Sequence, residues 1–331
     1  MKYIVEQNNI PEFMSVHGVR EDFSRFPLEL GQKVSDNMAM LSQLSTGGRI
    51  RFSTNSKKIG LVVEIESTNA NTATDVLSDG IYCGKIEPLN YDTDTVMSGE
   101  LSLVPDGIED EDKMKTVTVF FPRPARLVRM EITLDDGAAV AKAPDYAIKK
   151  PIVFYGSSIT QGGCTTTPSK AYTALVAERL GADHINMGFG GNALGEEVLA
   201  EYFAGLEMSC FVLDYDYNAP NAEHLRKTHK RFFEIIREAN PDLPIMIMSG
   251  ISPSLLNTGM YARRRVIMDT FHDALDKGDE NVDFIDGCYL MGNYDIASCF
   301  IPGDCHPNEK GFGRMAAVVA PRLEALMNRK K

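Results

Sequence analysis

Two residues that lie far apart in the chain have the chemistry of a nucleophile and its base. Ser158 lies in the segment YGSSITQGG, which follows an apolar run, and His306 lies in PGDCHPNEKG, just before a helical pattern. A serine at a strand-to-helix turn can present its hydroxyl above a sheet, beside backbone N–H groups that stabilise an oxyanion. The other interpretation of Ser158 is a helix-capping serine in a glycine-rich turn.

Two further segments carry groups suited to binding an oxyanion. Gly191 lies in NMGFGGN and Asn218 lies in LDYDYNAP, and each segment follows a short apolar run. Glycine lets a backbone N–H approach a ligand closely, and an asparagine amide pointing into the site would add a donor. The alternatives are a loop that needs positive φ and an ordinary turn asparagine.

The elements that must position these residues follow one pattern from about residue 150 onward, where short apolar runs alternate with helical periodicity. Candidate strands are 152–155, 184–187, 211–213, 245–248 and 282–285, and candidate helices lie near 169–180, 193–204, 222–239, 259–277 and 308–328. Buried strands that alternate with helices predict a parallel sheet covered on both faces. Ligands of such sheets bind beyond the carboxyl ends of the strands, where all four segments are expected.

The chain before this point has a period of two. Apolar and polar residues alternate at 49–53, 61–66, 117–121 and 128–134, which predicts strands of an antiparallel β-sandwich with one solvated face. Arg49 and Arg51 are expected on that solvated face. We therefore predict two domains, a β-sandwich at 1–148 and an α/β domain at 149–331.

Bulk composition narrows the classes of partner. The formal net charge of −12 disfavours nucleic acid, and no apolar run reaches the roughly 20 residues of a membrane helix. Residues 106–112 predict a solvated acidic loop, and the N-terminus lacks the pattern of a secretory signal, so a cytoplasmic protein is expected. The six scattered cysteines predict reduced thiols rather than a disulfide framework.

The ordered set Gly156-x-Ser158, Gly191, Asn218 and His306-Pro-Asn resembles the SGNH (GDSL-type) hydrolase family over about residues 150–328. The segment 49–56, RIRFSTNS, resembles the jelly-roll segment that precedes the hydrolase domain in some carbohydrate-esterase-like and acyltransferase-like members. The resemblance implies an SGNH-type, flavodoxin-like parallel sheet preceded by an antiparallel jelly-roll domain.

The resemblance also implies the roles of single residues. Ser158 is the nucleophile and His306 its general base, and the oxyanion hole consists of the N–H groups of Ser158 and Gly191 and the amide of Asn218. No metal and no cofactor are implied.

Two positions depart from the family pattern. Ser157 stands where aspartate usually precedes the nucleophile, and Gly303 stands three residues before His306, where the family's acid usually lies. Asp304 is only two residues before the histidine. Either Asp304 reaches the imidazole or the enzyme uses a Ser–His dyad whose ring is oriented by a backbone carbonyl. We expect Asp304 to be the third catalytic residue.

Other side chains have simpler interpretations. His224, His229 and His272 lie in helical patterns with charged neighbours and are expected in solvent. Cys164 and Cys305 flank the predicted site, where packing is favoured over thiol chemistry. Asp304 with His306 lacks a third and a fourth metal ligand at any recognisable spacing.

Three functions remain open. The first is a serine esterase that removes a small, acetyl-like acyl group from a carbohydrate-like or polyol substrate through an acyl-enzyme. The second is an acyltransferase that uses the same intermediate, and the third is a catalytically weakened carbohydrate-binding protein. The expected partner is a small-molecule or oligosaccharide ester, without nucleic acid or membrane, and a homo-oligomer is compatible with the sequence.

Overall fold

The computed structural model describes residues 1–68, 71–104, 112–251, 258–291 and 296–329. The chain forms two compact units. The first consists of Met1–Leu28, Met40–Tyr146 and Thr165–Ser169, and the second of Glu29–Ala39, Ala147–Cys164 and Lys170–Lys331. The predicted domain limits, 1–148 and 149–331, stay a prediction. Of the predicted acidic loop, all residues except Asp112 lie outside the described ranges.

The first unit is built from short antiparallel strands. They are β1 (Lys2–Glu6), β2 (Ser15–His17), β3 (Arg49–Thr54), β4 (Lys58–Ile65), β5 (Ala73–Ser78), β6 (Ile81–Ile86), β7 (Val96–Ser102), β8 (Lys115–Arg123), β9 (Leu127–Leu134) and β10 (Val140–Ala141). One sheet has the order β1-β9-β4-β7, and the other has the order β10-β3-β8-β5-β6, with β2 paired to β3. Alternate residues of β4, such as Leu61 and Val63, join a core that also contains Phe52 and Val117 of the other sheet. The predicted antiparallel sandwich is confirmed.

The predicted solvated face of β3 is wrong. All six residues of this strand are buried, and Arg49 and Arg51 are only 1% and 9% exposed. Arg49 Nε donates a hydrogen bond to the Tyr146 hydroxyl at 2.9 Å, and the Arg51 guanidinium lies 3.9 Å from the centre of the Tyr146 ring. Arg51 also donates to the carbonyl of Pro144 at 3.0 Å. The aromatic ring and backbone carbonyls replace water around the two charges, which an alternation pattern cannot reveal.

The second unit contains the parallel strands and most of the helices. The strands are β11 (Ile148–Gly156), β12 (Ala182–Gly188), β13 (Cys210–Asp214), β14 (Ile245–Met248) and β15 (Val282–Ile285). The helices of the described residues are α1 (Leu28–Val34), α2 (Asp36–Ser42), α3 (Ser158–Gln161), α4 (Tyr172–Leu180), α5 (Glu197–Ala204), α6 (Ala222–Ala239), α7 (Thr258–Asp276), α8 (Ile296–Cys299) and α9 (Glu309–Met327). Within the described ranges, none of these helices is both long and apolar enough to cross a membrane. The cytoplasmic location stays a prediction.

The parallel sheet has the order β12-β11-β13-β14-β15 and is covered by helices on both faces. On one face Phe154 packs with Tyr172 of α4 and Phe312 of α9 in a continuous apolar core. On the other face the ring of Tyr155 stacks on Phe232 of α6 at 4.7 Å. The sheet is parallel and has helices on both faces, so the predicted flavodoxin-like α/β fold is confirmed. Each of its strands contains one of the predicted apolar runs.

The topology brings the candidate segments to one edge. Gly156 at the end of β11 pairs with Gly188 of β12 and with Asp214 of β13, so three loops leave the sheet at the same level. The strand order reverses at β11, and ligands of open parallel sheets bind at such a switch point. The segments that contain Ser158, Gly191 and Asn218 all begin there.

His229 is not in solvent, contrary to the prediction. It is 1% exposed on α6, and its Nδ1 lies 2.9 Å from Thr270 Oγ1 of α7. Burial lowers the pKa of His229 to about 3, so the ring is neutral. The prediction relied on the charged residues next to His229 in the sequence, but these residues lie on other faces of the helix. His272, in contrast, is exposed as expected.

Candidate active site

The turn after β11 separates the roles of its two serines. Ser157 is the N-cap of α3, where its hydroxyl accepts a hydrogen bond from the N–H of Ile159 at 3.2 Å. Ser158 is the first residue of the helix and is partly exposed. The capping interpretation therefore applies to Ser157, while the hydroxyl of Ser158 is left for another partner.

That partner is the predicted base. Ser158 Oγ lies 2.7 Å from His306 Nε2, and His306 Nδ1 lies 2.7 Å from Asp304 Oδ1. The hydrogen bond from His306 lowers the pKa of Asp304, so this carboxylate is ionised at neutral pH. The three side chains form a continuous chain of hydrogen bonds, a relay with the geometry of a nucleophile, a general base and an orienting acid.

The loop before His306 explains how an acid two residues away reaches the ring. Gly303 adopts φ of +77°, a conformation that favours glycine, and the N–H of Asp304 donates to the carbonyl of Ile301 at 3.0 Å. The N–H of Ile301 donates in turn to the carbonyl of His306, also at 3.0 Å. This closed turn folds the Asp304 carboxylate back over the imidazole, where it also accepts from the N–H of His306 at 3.2 Å.

The loop after β12 approaches the nucleophile through its glycines. A side chain at Gly188 would collide with the backbone of Gln161 in α3, and a β-carbon at Gly190 would lie 3.5 Å from that of Ser158. The N–H of Gly190 already donates to Gln161 Oε1 at 3.0 Å. Gly191 is exposed, has φ of +71°, and finds no hydrogen-bond acceptor for its N–H among the residues that the structure describes.

Asn218 is tied to the same glycine loop. Its side-chain amide donates a hydrogen bond to the carbonyl of Phe189 at 2.8 Å, and its backbone N–H donates one to the carbonyl of Tyr215 at 3.2 Å. One amide N–H is enough for the first bond, which leaves the second available to a ligand. The structure thus brings Ser158, His306 and Asp304 into direct contact. Gly191 lies in the glycine loop beside Ser158, and Asn218 is hydrogen-bonded to that loop through Phe189.

A buried carboxyl beneath the nucleophile helix was missed by sequence reasoning. Asp214 Oδ2 accepts hydrogen bonds from Thr160 Oγ1 of α3 at 3.0 Å and from the Tyr172 hydroxyl at 2.8 Å. Burial, with a smaller contribution from Asp216, raises the pKa of Asp214 to about 7. The available signal was an acidic residue at the end of an apolar run. Asp214 supports the helix that carries Ser158 and is a positioning residue.

Asp214 predicts a pH dependence of stability. Between about pH 4 and about pH 7 the folded protein retains a proton that the unfolded chain releases, so stability falls as the pH rises through this window. Asp214→Asn cannot lose a proton there. We therefore compare the unfolding free energy of Asp214→Asn with that of the wild type. The difference, variant minus wild type, is expected to be more positive at about pH 8 than at about pH 5 by on the order of 2 kcal/mol.

Urea denaturation of both proteins at the two pH values measures this gain. Asp242→Asn is the matched control, because Asp242 is an exposed aspartate in the loop before β14. An equal difference between Asp214→Asn and the wild type at both pH values would contradict the prediction.

Thiols flank the site without forming disulfides. Cys164 and Cys305 are both unbridged, and Cys305 Sγ lies 3.9 Å from His306 Nδ1. Burial raises the pKa of the Cys305 thiol, which makes it a poorer nucleophile at neutral pH.

Comparison with protein families gives two matches that together span most of the chain. A model described as the GDSL-like lipase/acylhydrolase family matches residues 149–324. A model described as the N-terminus of the esterase SGNH hydrolase type matches residues 2–140. No curated protein matches the sequence.

Solved structures of similar fold cover both units. A protein described as a GDSL-like lipase from Bacteroides ovatus is 22% identical with a TM-score of 0.82, over 100% of this chain and 99% of that one. A salicylyl-acyltransferase, SsfX3, from a tetracycline biosynthetic pathway is 21% identical with a TM-score of 0.77, over 99% and 98%. An acetyl xylan esterase, Est2A, from the rumen bacterium Butyrivibrio proteoclasticus is 15% identical with a TM-score of 0.60, over 97% and 98%. At these identities the likeness shows the fold.

Proposed function

Since the chain belongs to the GDSL-like lipase/acylhydrolase family, we propose that it hydrolyses a small O-acyl ester on a carbohydrate-like or polyol substrate through an acyl-enzyme on Ser158. Membership of the family confirms the predicted enzyme class, a serine esterase of SGNH/GDSL type. The observation that carries the proposal is the relay from Ser158 through His306 to Asp304, with both hydrogen bonds at 2.7 Å.

In the proposed mechanism Ser158 Oγ attacks the acyl carbonyl while His306 Nε2 takes the hydroxyl proton. The imidazolium that forms is stabilised by the ionised Asp304, and it then gives the proton to the oxygen of the leaving alcohol. Water attacks the acyl-enzyme in the second half, again with His306 as base, and releases the carboxylic acid and free Ser158.

The proposed oxyanion hole uses the donors that the site leaves available. They are the N–H groups of Ser158 and Gly191 and the second amide N–H of Asn218, whose first N–H is held by Phe189. Donors that are already oriented stabilise the charge that develops on the carbonyl oxygen, and losing one typically lowers kcat by about 10²–10³-fold.

Hydrolysis is favoured over acyl transfer because solvent reaches the relay. The side chains of His306 and Asp304 are 22% and 40% exposed, so water has access to the base that must activate it. An acyltransferase has to exclude water from its acyl-enzyme. The proposal of a small acyl group on a sugar draws support from the fold shared with an acetyl xylan esterase. The alternative of a weakened binding protein relied on the shifted acid position, and the 2.7 Å contact between Asp304 and His306 weighs against that alternative.

A substrate panel tests the proposal. We expect kcat/KM to fall at least about tenfold from p-nitrophenyl acetate to the octanoate, and acetylated xylo-oligosaccharides to release free acetate. The same reactions with added glycerol or xylose measure transfer of the acyl group to an alcohol instead of water. A preference for the long acyl chain would refute the small-acyl proposal, and recovery of most acyl groups on the added alcohol would make the protein an acyltransferase.

A further inference from the structure

We propose that Cys164, Asp304 and His306 form a Zn²⁺ site that switches off the esterase by occupying its general base. One ligand atom from each of these residues, a sulfur, a carboxylate oxygen and an imidazole nitrogen, lies within 4.8 Å of the other two. Sulfur, nitrogen and oxygen donors together select Zn²⁺ over Mg²⁺ and Ca²⁺, which bind through oxygen alone.

Cys164 reaches the site because the chain after the nucleophile helix passes close to the imidazole. A β-carbon added at Gly163 would lie 3.3 Å from His306 Cδ2, so the backbone runs directly alongside the ring. Cys164 follows with φ of +67°, a left-handed conformation that is unfavourable for a non-glycine residue. The packing of this turn therefore holds the thiol beside His306.

The distances suit a tetrahedral ion after a small adjustment. Zn²⁺ binds sulfur at about 2.3 Å and nitrogen or oxygen at about 2.0–2.2 Å, which places tetrahedral ligand atoms about 3.4–3.6 Å apart. Because no two of the three atoms lie more than 4.8 Å apart, no pair has to approach by more than about 1.4 Å, which is within the reach of side-chain rotation. With His306 Nδ1 as the ligand, its 2.7 Å contact with Asp304 Oδ1 has to open slightly to admit the ion. Three protein ligands leave the fourth position to water, and the 40% exposure of Asp304 gives the ion an entry path.

Binding has the same consequence at either nitrogen of His306. An ion on Nε2 takes the lone pair that must accept the Ser158 proton. An ion on Nδ1 displaces the ring proton to Nε2, which then donates to Ser158 and can no longer accept from it. The Cys164 thiol loses its proton to solvent, and the thiolate and the Asp304 carboxylate balance the two charges of the ion. The metal-bound protein therefore has an intact Ser158 without a base.

The inhibitory part of this inference rests on the proposed function, whereas the binding part does not. Two measurements keep them apart. Binding is followed on metal-free protein by calorimetry with Zn²⁺ and by absorption with Co²⁺, which shows a sulfur-to-metal charge-transfer band when a thiolate is a ligand. Inhibition is followed as hydrolysis of p-nitrophenyl acetate against Zn²⁺, with each rate divided by the metal-free rate of the same variant.

We expect one Zn²⁺ per chain, a charge-transfer band with Co²⁺, loss of the esterase rate on saturation, and recovery with EDTA. Cys164→Ser is expected to weaken binding and inhibition by roughly tenfold or more and to abolish the band. Cys305→Ser is the matched control, because its thiol is the other one beside His306, and it should behave as the wild type. Mg²⁺ should have no effect at the same concentration.

The outcomes separate cleanly. Absence of Zn²⁺ binding, or a Co²⁺ complex without the band, overturns the site whether or not the protein is an esterase. Equal zinc sensitivity of Cys164→Ser and the wild type overturns the assignment of Cys164, as does loss of binding in Cys305→Ser alone. Stoichiometric binding to a protein that hydrolyses none of the esters would support the site and refute the proposed function.

Discussion

Replacing Ser158 with alanine is expected to lower kcat on p-nitrophenyl acetate by at least about 10⁴-fold and to abolish the burst of p-nitrophenol. In the proposed mechanism the Ser158 hydroxyl forms the acyl-enzyme, and its proton acceptor lies 2.7 Å away at His306 Nε2. His306→Ala is expected to cost a similar factor. The double variant should be no slower than either single one, because residues that act in one proton relay have non-additive effects.

Ser157→Ala is the matched control for this loss. It removes a hydroxyl from the adjacent residue and with it the cap of α3, whose expected cost is about 1 kcal/mol of stability. Turnover in this variant should stay within about an order of magnitude of the wild type, since Ser157 does not contact His306. Full activity of Ser158→Ala, with a preserved burst, would place the nucleophile elsewhere.

Replacing Asp304 with asparagine is the second large effect, with an expected loss of about 10²–10³ in kcat and little change in KM. In the proposed mechanism the carboxylate orients the imidazole by a 2.7 Å hydrogen bond and stabilises the imidazolium that forms in the transition state. Loss of a fully buried triad aspartate costs about 10⁴-fold. We expect less here because Asp304 is 40% exposed, so that water screens its charge and partly replaces it.

Glu309→Gln provides the control for charge alone. Glu309 lies three residues after His306 and is 37% exposed, and its carboxylate pairs with Lys170 at 2.8 Å. The substitution changes the local charge as Asp304→Asn does without touching the relay. A loss of less than about tenfold in Asp304→Asn, no larger than that in Glu309→Gln, would establish a Ser–His dyad in place of the triad.

By itself the sequence determined the elements around the site and their order. The five apolar runs from Ile152 onward lie within β11 to β15, and the five helical patterns overlap α4, α5, α6, α7 and α9, whereas the short α8 was not predicted. These elements can be predicted because a buried strand gives a continuous apolar run, and a helix with one buried face gives apolar residues at helical spacing. The positions of Ser158, Gly191 and Asn218 follow from the same rule, since the carboxyl ends of parallel strands share one edge.

Only the tertiary structure decided which side chains meet and which charges are buried. The bond from Asp304 to His306 depends on the left-handed Gly303 and on the turn between Ile301 and His306. The burial of Arg49 depends on Tyr146, and the closeness of Cys164 to His306 depends on the path of a distant turn past the imidazole. A residue spacing records how one element faces the core. It contains no information on the long-range packing that sets these contacts, because their partners come from segments far apart in the chain.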